Sequence, residues 1–183
     1  MKPIIISIAI VVSILVACKS NKPDESKNTK TSSSIEEIKN TGPIEEIIVA
    51  YLDLKNSLAE DNSSSASKAG KLLEAAFKNF DKTGLPAAER KIFEDVEEDA
   101  RENAEHIVEN SRNIAHQRGH FELLSKDIYD LVKVFGSGRA LYKYVCQSYN
   151  NGKGAFWISE TNEIKNPYLG KTLPDCGTIT EEI

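Results

Sequence analysis

Hydrophobic residues in the middle of the chain recur at spacings of three and four, the repeat of a helix with one buried face. The first set follows Gly42-Pro43 and comprises Ile44, Ile47, Ile48, Tyr51, Leu54 and Leu58. A second set follows the turn residues Asp61-Asn62-Ser63 and comprises Ala66, Ala69, Leu73, Ala76, Phe77 and Phe80. The pattern predicts one helix over 43–60 and another that ends at Asp81-Lys82-Thr83-Gly84.

Two further helices are predicted before residue 139. Pro86 can open the third, which reaches about Asn110 and has the sparse apolar positions Ile92, Val96, Ala100, Asn103, Ile107 and Ile114. A helix this polar is expected to face mostly water. The fourth begins between Ser111 and Gln117, ends at Gly136-Ser137-Gly138 and carries Phe121, Leu124, Ile128, Leu131, Val132 and Phe135. Four helices with short connections predict a mainly α, antiparallel bundle.

The remaining C-terminal residues have a strand-like pattern. Ala140–Val145 and Ala155–Ser159 are rich in aromatic and branched side chains, and Asn150–Gly154 between them is typical of a turn. We predict a small C-terminal β-hairpin with ordered loops, packed on the bundle within one domain, 43–183. Cys176-Gly177 is expected to precede a short tail. The aromatic residues Tyr142, Tyr144, Phe156 and Trp157 suit core packing, with ligand stacking as the alternative.

The N-terminus has the pattern of an export signal. Met1-Lys2-Pro3 precedes an apolar run from Ile4 to Ala17, which is 14 residues long and shorter than the ~20 that span a bilayer. Leu15-Val16-Ala17-Cys18 resembles a bacterial lipobox, in which the cysteine is acylated and becomes the first mature residue. The resemblance implies a signal peptide over 1–17, a lipid (palmitate) on Cys18, and attachment to a membrane on the periplasmic face or the outer-membrane surface. A plain secretory signal and an N-terminal membrane anchor are the alternatives.

The stretch after Cys18 predicts a flexible tether over 18–42, because Lys19–Ser34 is almost entirely polar. The formal net charge of the chain is −5, and removal of 1–17, whose one charge is Lys2, leaves −5 − 1 = −6. This mild acidity, without a basic stripe, argues against nucleic acid as a partner.

The chain has three histidines. His116 and His120 are four residues apart and share a face of one helix, which is a chelating spacing for a transition metal. His106 lies 14 positions before His120, about 21 Å away along a straight helix. It reaches the same site only if the chain turns between them, and Ser111–Gly119 permits such a turn. Surface or hydrogen-bonded histidines without a metal are the alternative.

Two cysteines, Cys146 and Cys176, remain after acylation of Cys18. They lie 30 positions apart in the sequence and outside any Cys-x-x-Cys pair, which disfavours a closed zinc knuckle. Three readings stay open: a disulfide worth roughly 3–4 kcal/mol, two thiolate ligands beside imidazoles for copper(I) or zinc, or two free thiols.

Catalytic motifs are not found in the sequence. There is no glycine-rich phosphate loop, no Gly-x-Ser-x-Gly and no His-Glu-x-x-His. Cys146 and His120 lack an evident orienting partner for a nucleophile pair. We therefore expect that the protein is not an enzyme.

Several motifs occur in an order that resembles a known family. They are His106-Ile107, Gln117-Arg118-Gly119-His120-Phe121, Tyr144-Val145-Cys146, Gly154–Ser159, Asn166-Pro167-Tyr168-Leu169-Gly170 and Cys176-Gly177. Over 45–183 the chain resembles a bacterial envelope domain of unknown function, family 3347. Members occur as lipoproteins or secreted proteins, and fused to membrane-fusion subunits of heavy-metal efflux systems. The resemblance implies a periplasmic role in handling copper, silver or similar metals, with an efflux protein as partner.

The chain departs from the family pattern at both cysteines. The family reads Cys-Pro-Met where this chain has Cys146-Gln147-Ser148, and the methionine before the Cys-Gly pair is missing from Thr172–Asp175. Without these thioethers, affinity for copper(I) should be lower. The leading hypothesis is a lipid-anchored protein that binds copper(I) or zinc through His106, His120, Cys146 and Cys176. The alternative is a structural or partner-binding lipoprotein with a Cys146–Cys176 disulfide.

Overall fold

The computed structural model describes residues 42–183. The predicted signal peptide over 1–17, the lipidation site Cys18 and the predicted tether up to residue 41 lie outside the described residues, and so remain predictions.

Four helices form the larger part of the described chain. They are α1 (Glu45–Ala59), α2 (Ser63–Asn79), α3 (Ala87–Glu109) and α4 (Ile114–Phe135). Asn62 and Asn113 cap α2 and α4, because their side-chain oxygens accept hydrogen bonds from backbone amides in the first turn. Each helix packs on the next in the chain, which confirms the predicted bundle. Among residues 42–183, no helix combines the length and the apolar character that crossing a bilayer requires.

Two of the apolar positions predicted for α3 do not lie on its buried face, and one of them, Ile114, is the first residue of α4. The other, Ile92, is 37% exposed, whereas Phe93, which was not among the predicted apolar positions, is completely buried. Phe93 stacks on Phe80 with ring centroids 4.1 Å apart and meets Phe135 edge-on. Because α3 has few apolar residues, its sequence only weakly indicates which face is buried. The aromatic contacts of Phe93 determine that face. Most other α3 side chains are exposed, as predicted.

The C-terminal part is a three-stranded antiparallel sheet. The predicted hairpin is present as β1 (Tyr142–Cys146) and β2 (Ala155–Ser159), with Tyr144 opposite Trp157. The expected tail is instead a third strand, β3 (Thr178–Glu182), which pairs with the other edge of β1 and makes the strand order β2-β1-β3. Its threonines and isoleucine suit a strand. Most of its side chains are exposed, so the segment lacks the run of apolar residues by which a buried strand is recognised in a sequence.

A buried hydrogen-bond network joins the sheet to the helices. The Tyr51 hydroxyl of α1 lies 2.9 Å from Ser125 Oγ of α4 and accepts a bond from the Ile158 amide of β2 at 3.1 Å. Trp157 is fully buried and stacks on Tyr144 with centroids 5.2 Å apart. These aromatic residues belong to the core, in agreement with the packing interpretation.

Arg118 connects two of the motifs noted in the sequence. From α4 its guanidinium donates to the Pro167 carbonyl at 2.7 Å, to the Leu58 carbonyl at 2.9 Å and to the Asp61 carboxylate at 2.6 Å. Gly170 lies against this pair at φ +51°, where a Cβ atom would overlap Asp61. The contact fixes the loop after β2 against the α1–α2 turn.

Candidate metal centre

The three histidines of the chain lie together at one end of the α3–α4 pair. His106 is in the last turn of α3, and His116 and His120 are in the first two turns of α4. One nitrogen from each ring can be chosen so that the three atoms all lie within 4.8 Å of one another. The chain turns between His106 and His120, as it must if two residues 14 positions apart are to share one site.

The turn that brings the helices together is held by polar side chains. Gln117 is completely buried and its amide donates to the Ile107 carbonyl at 2.9 Å and to the Ser63 carbonyl at 3.0 Å. Its oxygen accepts from the Ser63 hydroxyl at 2.8 Å. These bonds tie α4 to the end of α3 and the start of α2, so the backbones that carry the histidines have a fixed separation.

His120 is the central ring of the cluster. It stacks on His106 with centroids 4.4 Å apart, and its Nε2 lies 3.1 Å from Nε2 of His116. Its Nδ1 lies 3.0 Å from the side-chain oxygen of Asn103. Burial lowers the pKa of His120, and its electrostatic interactions with the His106 and His116 rings lower it further. A neutral imidazole is the form that binds a metal.

A cleft of about 370 Å³ adjoins two of the rings and is lined mainly by carboxylates and imidazoles: Asp99, Glu102, Asn103, His106, His120, Leu123, Lys126 and Asp127. Burial, and secondarily the charge of Asp99, raises the pKa of Asp127 to about 6. Glu102 lies 3.7 Å from the His106 ring nitrogen. Carboxylates in this number favour an approaching cation over an anion.

The cysteines are not part of the histidine cluster. Cys146 at the end of β1 and Cys176 before β3 form a disulfide with an S–S distance of 2.03 Å. Disulfide sulfurs carry no thiolate charge, and the thiolate is the form that ligates metals. Of the three readings open in the sequence, the structure has the disulfide.

The predicted ligand set is therefore divided in two. His106 and His120 lie together as proposed, Cys146 and Cys176 are bonded to each other, and the third member of the cluster is His116. The signal for His116 was its spacing of four residues from His120. Asn103 was placed on the apolar face of α3 and not recognised as a partner of a histidine ring.

Comparison with known proteins identifies the family. Residues 47–140, just over half of the chain, match the family model described as "Protein of unknown function (DUF3347)". The chain belongs to this family. No curated protein and no solved structure matches the chain.

The extent of the DUF3347 match separates the two groups of residues. All three histidines, together with Asn103, lie inside the matched region, whereas Cys146 and Cys176 lie beyond its end at residue 140. The resemblance was expected to extend over 45–183. The DUF3347 match covers the four helices, except for the first two residues of α1, and ends before the sheet.

Proposed function

We propose that this protein is a lipid-anchored, non-enzymatic protein of the bacterial envelope that binds a transition-metal ion at the His106–His116–His120 cluster. Its role is to buffer the ion or pass it to an efflux partner. The observation that carries the proposal is the convergence of three ring nitrogens, from two helices, within 4.8 Å of one another.

The donor set favours zinc or copper(II) over copper(I). Imidazole nitrogen suits both ions, whereas copper(I) is selected by thiolates and thioethers. The two cysteines downstream of Cys18 are in the disulfide, and Met1 is the only methionine of the chain. The proposal therefore keeps zinc and copper from the sequence hypothesis and moves the ligands from a mixed His/Cys set to three histidines.

The accessibility of the cluster supports a handling role. His116 is exposed, and His106 and His120 are partly buried, so an ion can arrive from solvent and leave again. The carboxylates of the adjoining cleft raise the local concentration of cations. Three protein ligands also leave a coordination position for water or for a ligand from a partner.

The envelope location and the partner rest on sequence. The lipobox-like Leu15-Val16-Ala17-Cys18 supports a lipid anchor, and the polar stretch after it supports a tether that holds the domain away from the membrane. The association of the family with metal efflux supports an efflux protein as the recipient of the ion.

Calorimetric titration of the full-length protein in detergent with zinc chloride, and separately with copper(II), tests the proposal. We expect about one equivalent of bound ion. The double variant His116→Ala/His120→Ala should lose affinity by more than the roughly 10–100-fold typical for loss of an outer-shell partner.

The matched control is Cys146→Ser/Cys176→Ser, which removes the other two predicted ligands. This variant should retain the affinity of the unmodified chain, because neither sulfur belongs to the cluster. A folded protein that binds neither ion contradicts the proposal. If the cysteine variant loses binding and the histidine variant does not, the cysteines and not the histidines are the ligands.

A second candidate function is structural or partner-binding, without a metal. The Cys146–Cys176 disulfide favours it, since a cross-link between β1 and the segment before β3 stabilises the sheet as a docking surface. Both functions predict no free thiol at these positions, so the metal titration is the measurement that separates them.

A further inference from the structure

Asn103 is a buried polar residue on the face of α3 that is otherwise apolar. Its neighbours on that face are Ala100, Ala104 and Ile107, all completely buried, and Asn103 itself is 9% exposed. Asparagine is a poorer helix former than alanine or leucine and gains nothing by burial unless its amide is hydrogen-bonded. Its two side-chain contacts therefore account for its presence.

The orientation of the Asn103 amide follows from those contacts. The amide nitrogen lies 2.8 Å from the Asp99 carbonyl oxygen, one turn earlier in α3. A carbonyl oxygen only accepts, so the NH₂ group has to be on this side. The side-chain oxygen then faces His120 Nδ1 at 3.0 Å.

The protonation of the ring is determined in turn. An amide oxygen only accepts, so the hydrogen bond requires a proton on Nδ1 of His120. A neutral imidazole has one proton, which leaves the lone pair on Nε2. That atom lies 3.1 Å from Nε2 of His116, whereas the His106 ring stacks on the face of His120.

We propose that Asn103 is a positioning residue, which holds His120 in the Nδ1–H tautomer and so presents the lone pair of Nε2 on the side where His116 lies. A histidine in water favours the opposite tautomer, and a hydrogen bond to the far nitrogen is what reverses the preference. The metal-binding consequence rests on the proposed function, whereas the tautomer does not.

Long-range ¹H–¹⁵N correlation spectra of the imidazoles test the tautomer. They are recorded on metal-free, full-length protein in detergent micelles at a pH where histidines are neutral. We expect Nδ1–H for His120 in the unmodified chain and a shift toward Nε2–H in Asn103→Leu. This is a readout that a purely structural role of Asn103 would not move.

Asn110→Ala is the matched control. Asn110 directly follows α3 as its C-terminal cap, and its amide donates to the carbonyl four residues earlier, that of His106, at the same 2.8 Å. This bond is to the backbone and not to a ring. The variant removes an equivalent backbone contact and should leave the tautomer of His120 unchanged.

Zinc titration of the same variants tests the consequence for binding. Asn103→Leu should weaken affinity by about 10–100-fold, and Asn103→Asp, which keeps an acceptor for Nδ1, should restore most of it. Circular dichroism confirms that each variant is folded, and a variant that does not fold is replaced by Asn103→Ala.

Two outcomes overturn the inference: Nε2–H at His120 in the unmodified chain, or an unchanged tautomer in folded Asn103→Leu. An altered tautomer with unaltered zinc affinity overturns the part that concerns binding. An unmodified chain that shows Nδ1–H but binds no zinc supports the inference about Asn103 and contradicts the proposed function.

Discussion

The histidine cluster and the disulfide contain the residue types that form soft-metal sites, yet the structure uses them differently. The imidazoles carry no cross-link and are exposed or partly exposed at the end of the α3–α4 pair, and Asn103 is hydrogen-bonded to the ring of His120. Cys146 is 1% exposed, and its sulfur is bonded to that of Cys176 at the end of the sheet.

The difference shows that residue type alone does not assign a ligand. A cysteine or a histidine becomes a ligand only when its donor atom is unbonded and faces other donors. In this domain the short turn between α3 and α4 brings nitrogens of three histidines within 4.8 Å of one another. The sheet instead places Cys146 and Cys176 beside each other, with Cα atoms 5.3 Å apart, and their sulfurs are bonded to each other.

Loss of the disulfide is expected to have the largest effect on stability. Its two cysteines are 30 positions apart, and the chain-entropy relation gives about 3–4 kcal/mol for a closed loop of this length. Cys146→Ser/Cys176→Ser should therefore lower the free energy of unfolding by that amount in urea denaturation.

Reductant supplies the control for this prediction. It should destabilise the unmodified protein to the level of the serine variant and leave the variant itself unchanged. A variant as stable as the oxidised protein would show that the cross-link does not stabilise the sheet region.

Arg118→Leu tests the connection between the two regions, because Arg118 is two residues before His120 and holds the loop after β2. The variant loses hydrogen bonds to two carbonyls and to Asp61, whose pKa the hydrogen bond from Arg118 holds below its usual range. We expect about 2–3 kcal/mol of destabilisation and faster amide exchange in residues 166–171, with zinc affinity nearly unchanged.

Arg112→Leu is the control, since Arg112 is an exposed arginine on the turn before α4. Its stability should remain within about 0.5 kcal/mol of the unmodified protein. A large loss of zinc affinity in Arg118→Leu would show that the loop contact and the histidine cluster are energetically coupled, contrary to the comparison drawn here.

Asp127→Asn has the smallest expected effect and probes the cleft beside the histidines. The folded pKa of about 6 exceeds the ordinary value of 3.8, so the folded protein binds more protons between these values and its stability falls as pH rises through this window. With allowance for partial exposure, the ionised carboxylate costs about 1–2 kcal/mol at neutral pH.

The variant should be more stable than the unmodified protein by that amount near pH 7, and the difference should disappear near pH 4 in urea denaturation. Asp175→Asn, at an exposed position on the C-terminal loop, should change stability by less than about 0.5 kcal/mol. A gain that is equal at both pH values would mean that Asp127 is not held in a raised-pKa environment.

Local sequence patterns were sufficient to predict the four helices and the hairpin. Periodicity and turn or capping residues such as Asn62 act within one or two turns of chain, so they can be recognised without knowing the tertiary neighbours. The rotation of α3 and the pairing of β3 could not be read in this way. The first depends on the contact of Phe93 with Phe80, and the second on the open edge of β1.

The sequence by itself determined which residues are available for chemistry: three histidines, two cysteines beyond Cys18, and the spacing of His116 from His120. Only the tertiary structure decided how they combine, because each combination needs a distance between residues far apart in the chain. The α3–α4 turn places His106 beside His120, Asn103 faces the ring of His120, and the sheet joins Cys146 to Cys176. The packing of the backbone sets the distance between two donor atoms, and a pattern along the sequence does not contain that distance.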